Sequence, residues 1–141
     1  MAAAIVIPSY EPQEKVVLFI QQLREELSET IIVVDDGSGN KYRPIFQKLE
    51  QLQGVKVCSY KTNEGKGHAL KAGFQEIIDN FLEVEAVVTA DSDGQHSIED
   101  IQQLIAQIQA ADTQTIIFLC CNLSIFTVGN CIDAVFIYKM R

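Results

Sequence analysis

Two acidic turns carry the residues of this chain that are best suited to chemistry. One of them is ADSDG at 90–94, in which a single residue separates Asp91 from Asp93. In a turn, this spacing lets both carboxylates reach one cation, and oxygen ligands favour Mg²⁺ or Mn²⁺. A plain solvated turn is the alternative, because Asp and Gly are favoured after strands by their backbone behaviour alone.

The other acidic turn is DDGS at 35–38. Asp35 and Asp36 are adjacent, so on an extended backbone they point to opposite sides and at most one is expected to face a ligand. We favour Asp36, whose carboxylate could accept an N–H from a nucleobase or the hydroxyls of a ribose. Capping of a turn or helix by Asp36 and Ser38 is the competing explanation.

A glycine-rich segment, NEGKG at 63–67, precedes a predicted helix. Backbone N–H groups and Lys66 could face an anion there. The spacing is neither that of a P-loop nor G-x-G-x-x-G, so a loop that simply needs small residues explains the segment equally well.

Two aromatic side chains lie close to these segments. Tyr10 could stack on a base, and His96 could approach a metal ion or a diphosphate. Ordinary packing is the alternative for both.

The elements that must position these residues follow from the apolar pattern. Short apolar runs alternate with amphipathic segments, which is typical of βαβ units that build a parallel sheet. Pro8 is expected to end the first strand because it cannot donate to a ladder, and SIED at 97–100 predicts a capped helix start. We expect Ile78 to face inward from the third helix. The predicted strands are residues 3–7, 31–34, 55–58, 86–89 and 115–119, and the predicted helices are 13–27, 43–52, 66–81 and one from 97 onward.

Each candidate cluster follows the end of a predicted strand. In an open parallel sheet, ligands collect beyond the carboxyl ends of the strands. The clusters are therefore predicted to meet at one edge of the sheet.

Composition limits the class of protein. The chain has 141 residues, 48% of them apolar, and a net charge of −8. This predicts one globular domain with a real core and excludes the basic surface that nucleic-acid binding needs.

The four cysteines have no metal-binding spacing and indicate free thiols in the cytoplasm. No basic leader precedes the first strand. Residues 115–138 are long enough to cross a bilayer, but Asp133 and two asparagines favour a buried core segment.

Four motifs in order, IVIPSY at 5–10, IVVDDGS at 32–38, NEGKGHA at 63–69 and DSDGQH at 91–96, resemble glycosyltransferase family 2. They are most similar to the branch of dolichol-phosphate mannosyltransferases and bacterial polyprenyl-phosphate sugar transferases. The resemblance covers residues 3–119. It implies a three-layer α/β/α, Rossmann-like GT-A fold with a mainly parallel sheet.

The same resemblance implies the chemistry. A GDP- or UDP-sugar would be the donor, a polyprenyl or dolichyl phosphate the acceptor, and transfer would occur with inversion in one displacement. Such an acceptor would bring the protein to the cytoplasmic face of a membrane by peripheral association.

Roles for individual residues are also implied by the resemblance. Asp93 would coordinate an Mg²⁺ or Mn²⁺ ion that bridges the diphosphate, and Asp91 would bind that metal or the ribose. Asp36 would contact the base. The other residues expected to bind the nucleotide are Pro8, Tyr10, Glu11 and Lys66.

The chain departs from the family pattern after residue 119. A Gly-Ser-Arg-like turn and an acceptor half with the catalytic base are expected there, whereas residues 120–124 are CCNLS. No general base is identifiable. We therefore expect a nucleotide-sugar-binding domain at 1–119, a divergent apolar tail at 120–141 that packs on or continues it, and a truncated chain that binds donor but transfers sugar poorly or not at all.

Three alternatives stay open at this point. One is a non-catalytic nucleotide-binding relative. A receiver-type phosphoacceptor domain has an acidic pair after its first strand, but here residues 3–7 precede the pair. A haloacid-dehalogenase-like phosphatase also uses D-x-D, but Gln95 stands where it has Thr.

Overall fold

Strands and helices alternate along the chain as the apolar pattern predicts. The computed structural model describes residues 2–94 and 96–110 in full, and the backbone of three short strands at 118–119, 125–126 and 135–139. In chain order, the elements are β1 (Ala2–Ser9), α1 (Lys15–Glu26), β2 (Thr30–Asp35), a 3-10 turn (Asn40–Tyr42), α2 (Arg43–Glu50), β3 (Val55–Ser59), α3 (Lys66–Asn80), β4 (Val84–Thr89), α4 (Ile98–Ala110), β5 (Phe118–Leu119), β6 (Ile125–Phe126) and β7 (Val135–Lys139).

The described strands form one sheet in the order β3-β2-β1-β4-β7-β5-β6. β1 lies between β2 and β4 and is parallel to both, with Ile5 opposite Ile31 on one side and Val88 on the other. β3 extends the parallel part beyond β2, whereas β7 is antiparallel to β4. The sheet is therefore mainly parallel, and the carboxyl ends of β1 to β4 lie at one edge.

Helices cover both faces of this sheet. Successive side chains of a strand point to opposite faces. Accordingly, Ile5 and Ile7 of β1 pack in a cluster with α1, α2 and α4, while Ala4 and Val6 pack in a second cluster with α3. This arrangement is a three-layer α/β/α architecture, so the predicted fold class is confirmed.

The prediction that Pro8 ends the first strand is wrong, because β1 continues to Ser9. The carbonyl of Val6 accepts a bond from the backbone N–H of Ala90, on the β4 side of β1. Two residues later, the nitrogen of Pro8 faces the same side, beyond the last β1–β4 pair at Thr89. Proline therefore removes no ladder bond here.

Two details of the helices were also predicted. Ser97 caps α4, since its hydroxyl accepts a bond of 3.1 Å from the backbone N–H of Asp100, as expected. The inward position predicted for Ile78 is wrong, because this side chain is 46% exposed. Ala69, Gly73 and Ile77 form the buried stripe of α3, and Ile78 lies outside it.

Some of the residues used in the sequence predictions lie outside the described part of the chain. They are Gln95, 115–117 of the predicted fifth strand, and much of the segment 115–138. Among the described residues, none of the helices combines the length and apolar character that crossing a bilayer requires. Cys58 is a free thiol, and burial raises its pKa to about 11.

Candidate functional site

Six of the seven predicted site residues meet at a cavity of about 350 Å³ beyond the carboxyl ends of the parallel strands. The chain passes from β1 to β2 on one side, while β4 lies on the other side of β1. This reversal is the position at which open α/β sheets bind ligands. The cavity is lined by Pro8, Ser9, Tyr10, Asp36, Asn63, Gly65, Lys66, Asp91, Ser92 and Asp93.

Asp36 follows β2 and is only 3% exposed. Its Oδ1 accepts hydrogen bonds from the Tyr60 hydroxyl at 2.6 Å and the Glu64 backbone N–H at 2.9 Å. Its Oδ2 accepts from the Asn63 side-chain amide at 3.1 Å and the Gly65 backbone N–H at 3.0 Å. The backbone N–H groups of Glu64 and Gly65, in the segment predicted to face an anion, therefore donate to this carboxylate.

Asp35 points away from Asp36, as the adjacent spacing predicts. Its Oδ1 accepts a bond of 2.9 Å from the backbone N–H of Ser38, whose hydroxyl in turn accepts from the backbone N–H of Glu11. The local turn is thus capped by Asp35, while Asp36 bonds to the segment before α3. These bonds fix the turn after β2 against the turn after β1.

Gly37 brings the acidic turn against that segment. Its φ is +69°, in the left-handed region, and a Cβ placed on it would lie 2.3 Å from the backbone nitrogen of Asn63. Only glycine fits this approach without displacement.

Tyr10 is 51% exposed at the cavity. The adjacent Glu11 carboxylate raises the pKa of its phenol. Glu11 has a φ of +48°, and it is absent from the described residues that line the cavity. Glu11 therefore borders Tyr10 rather than the cavity itself.

Asp91, after β4, is held from two sides. Lys66 Nζ lies 2.5 Å from its Oδ1, and His96 Nε2 lies 3.5 Å from its Oδ2. The His96 contact, with Lys66 adding to it, lowers the pKa of Asp91 to about 2 against the opposing effect of burial. Asp91 is consequently ionised at neutral pH, and the buried His96 is one of its two partners.

The two residues predicted to hold a metal ion, Asp91 and Asp93, line the same cavity. Among the described residues, no group of three or more His, Cys, Asp or Glu side chains is arranged to hold a metal ion. Mg²⁺ is commonly bound by one or two carboxylates together with substrate phosphates and water. Two carboxylates beside an open cavity fit that kind of cation.

The predicted residues thus separate into two groups. Pro8, Tyr10, Asp36, Lys66, Asp91 and Asp93 line the cavity, whereas Glu11 stands beside it.

Tyr60 and Ser9 are among the residues at the site that were missed from the sequence. Tyr60 bonds to Asp36 from the end of β3, and its position directly after an apolar run was the available signal. Ser9 lines the cavity, and its buried hydroxyl has no hydrogen-bond partner among the described residues. A buried hydroxyl of this kind is expected to find a partner, which a polar ligand group can supply.

The model of the family described as "Glycosyl transferase family 2" matches residues 4–121. This chain belongs to glycosyl transferase family 2. The match decides against the receiver-type and haloacid-dehalogenase-like alternatives.

Two relatives and one solved structure illustrate the similarity of this family 2 domain. An uncharacterized protein of Methanocaldococcus jannaschii is 30% identical over 104 residues, with 74% of this chain and 40% of the relative covered. A UDP-N-acetylglucosamine--dolichyl-phosphate N-acetylglucosaminyltransferase of Methanococcus voltae is 27% identical over 117 residues, covering 74% and 46%. S. aureus TarS 1-349 in complex with UDP-GlcNAc has a TM-score of 0.58 at 22% identity, covering 78% and 32%.

These matches extend over only part of the compared proteins. The family 2 domain spans less than half of the length of both curated relatives. The TarS likeness, at 22% identity, shows the fold alone, and this is the GT-A fold that the resemblance implies.

Proposed function

We propose that the cavity between β1, β2, β4 and the start of α3 binds the nucleoside diphosphate of a sugar donor. The observation that carries the proposal is the gathering of six residues from four separate segments around one cavity at the switch point of the sheet. A UDP-sugar is the first candidate, because the Methanococcus voltae relative and the TarS complex are both named with UDP-GlcNAc. A GDP-sugar is the alternative donor.

The nucleoside is proposed to lie against Pro8, Tyr10 and Asp36. The exposed ring of Tyr10 offers a flat apolar face for a base, and Glu11 borders that ring. A base N–H that reaches Asp36 is proposed to replace one of its bonds from Asn63, Glu64 or Gly65, while the Tyr60 bond keeps the carboxylate in place.

The diphosphate is proposed to lie near Lys66, Asp91 and Asp93. Lys66 supplies a positive charge at the start of a helix, where anions are favoured. Asp93, together with Asp91, would hold Mg²⁺ or Mn²⁺. When bound, such an ion stabilises the negative charge that develops on a departing diphosphate.

The transfer step is proposed for a polyprenyl or dolichyl phosphate acceptor. Support comes from the dolichyl phosphate in the name of the Methanococcus voltae relative. We assign no described residue as the general base. Residues 1–119 are proposed as the donor-binding domain, and residues 120–141 are proposed to continue it, supported by the pairing of β7 with β4. Because the acceptor is a lipid, peripheral association with the cytoplasmic face of a membrane belongs to the same proposal.

A thermal-shift screen tests the donor class. A ligand that binds only the folded state stabilises it by RT ln(1 + [L]/Kd), about 2.7 kcal/mol at 100 times Kd. UDP, GDP, ADP and CDP are compared with and without Mn²⁺. The proposal predicts a metal-dependent rise in Tm with UDP or GDP, and equal Tm values in all samples would overturn it.

A further inference from the structure

Tyr60 stands at the end of β3, outside the four family motifs, yet it contacts the most enclosed carboxylate of the site. We propose that Tyr60 is a positioning residue for donor binding: its hydroxyl holds Asp36 and the segment 60–65, here called the β3–α3 loop, in the arrangement that brings Lys66 to the cavity. This inference rests on the proposed function, because donor binding is the property that Tyr60 supports.

The first argument is the saturation of Asp36. An ionised carboxylate offers about four lone-pair sites, and both oxygens of Asp36 accept two bonds each. All four donors belong to the β3–α3 loop. The orientation of this buried carboxylate and the shape of the loop therefore determine each other, and the Tyr60 bond, at 2.6 Å, is the shortest of the four.

The second argument is the path from Tyr60 to the cavity. Asp36 binds the backbone N–H of Gly65, and Lys66 follows directly as the first residue of α3. Lys66 Nζ then reaches Asp91 on the far side of the cavity. A shift of the Asp36 carboxylate is therefore expected to move Lys66 as well, because only Gly65 lies between them.

The third argument concerns the ring of Tyr60. It packs edge-on against the His68 ring, with the centroids 5.0 Å apart, and His68 Nδ1 lies 3.0 Å from the Glu64 carboxylate. The ring therefore has contacts of its own with the first turn of α3. Removal of the hydroxyl alone leaves these contacts in place, so the hydrogen bond can be tested separately from the packing.

The experiment compares the chain with its Tyr60→Phe variant by two measurements. Calorimetry gives the Kd of UDP in the presence of Mg²⁺, and NMR gives hydrogen exchange of single amides without nucleotide. A lost bond to a charged partner is expected to raise Kd about tenfold. In the variant, the amides of Glu64 and Gly65 are expected to exchange faster than in the unsubstituted chain. Sheet amides such as that of Val33 are expected to exchange at unchanged rates.

Glu64→Gln is the matched control. It removes the carboxylate beside His68 but keeps the backbone N–H that donates to Asp36. We expect its Kd for UDP to stay within about twofold of the unsubstituted chain, since contacts between solvent-exposed polar side chains contribute little.

The possible results separate this inference from the proposed function. If the unsubstituted chain binds UDP and Tyr60→Phe binds it equally well, the role of Tyr60 is refuted while the proposed function stands. If all amides of Tyr60→Phe exchange faster to the same extent and Kd is unchanged, Tyr60 acts on stability alone, and the inference is again refuted. If the unsubstituted chain binds neither UDP nor GDP, the proposed function fails, and the donor-binding role of Tyr60 fails with it.

Discussion

Lys66 Nζ lies 2.5 Å from Asp91 Oδ1 and joins the start of α3 to the turn after β4. These two elements border the same cavity from different sides. The diphosphate proposed to bind there would therefore meet an ion pair, with Lys66 as its positive partner. The rest of the site, including Tyr10 and Asp36, extends from this pair toward the end of β2.

The first prediction concerns the dependence of stability on pH. The contact with His96, aided by Lys66, lowers the pKa of Asp91 from 3.8 to about 2 in the folded chain. A carboxyl with a lowered folded pKa contributes stability above its unfolded pKa and loses it as pH falls through the folded value. The unfolding free energy of the chain relative to Asp91→Asn is therefore expected to fall between about pH 4 and pH 2. Urea unfolding at several pH values measures it, and a constant difference would contradict this assignment.

The second prediction uses two glycines of the acidic turn region. Gly37→Ala places a Cβ 2.3 Å from the Asn63 nitrogen at a φ of +69°, whereas at Gly39, with a φ of +87°, nothing lies within 4 Å. Backbone strain alone costs about 1 kcal/mol or somewhat more, and forced overpacking adds roughly 1–3 kcal/mol. Gly37→Ala should lower the unfolding free energy by clearly more than Gly39→Ala. Equal losses in urea unfolding would show that the contact with Asn63 is not tight.

The third prediction compares two glycines of α3. A Cβ on Gly73 would lie 2.6 Å from Val6 Cγ1 of β1, while one on Gly67 meets nothing within 4 Å. Alanine is favoured over glycine in a helix by up to about 1 kcal/mol. Gly67→Ala should therefore raise Tm slightly, and Gly73→Ala should lower it, because α3 must move away from the sheet. A higher Tm for both variants would indicate looser packing of α3 on β1.

Much of the fold could be predicted from the sequence because its signals are local. Apolar periodicity predicted the four helices and the parallel strands, and the position of each polar cluster after a strand predicted that the clusters meet. Glu11 is the member of the predicted set that stands outside the lining of the cavity. Its φ of +48° turns the chain there, and its backbone N–H donates to the Ser38 hydroxyl.

The partners of the site residues could not be predicted from the sequence, because they depend on distant parts of the chain. Asp36 accepts its bonds from residues 24 to 29 positions further on, and Lys66 pairs with a residue 25 positions away. No local pattern encodes such a pairing. The error at Pro8 has the same origin, because it depends on β4, which lies far along the chain. The pairing of β4 with β1 ends at Thr89, before it reaches Pro8, so the proline displaces no ladder bond.

Calorimetric titration of the chain with UDP in the presence of Mg²⁺ tests the central claim most directly, with Asp93→Ala as the matched variant. The account predicts saturable one-to-one binding that is weakened about tenfold or more in Asp93→Ala while circular dichroism shows an unchanged fold. Affinity that is the same in both chains would contradict the metal role of Asp93. The absence of binding by both UDP and GDP to the unsubstituted chain would contradict the donor site itself.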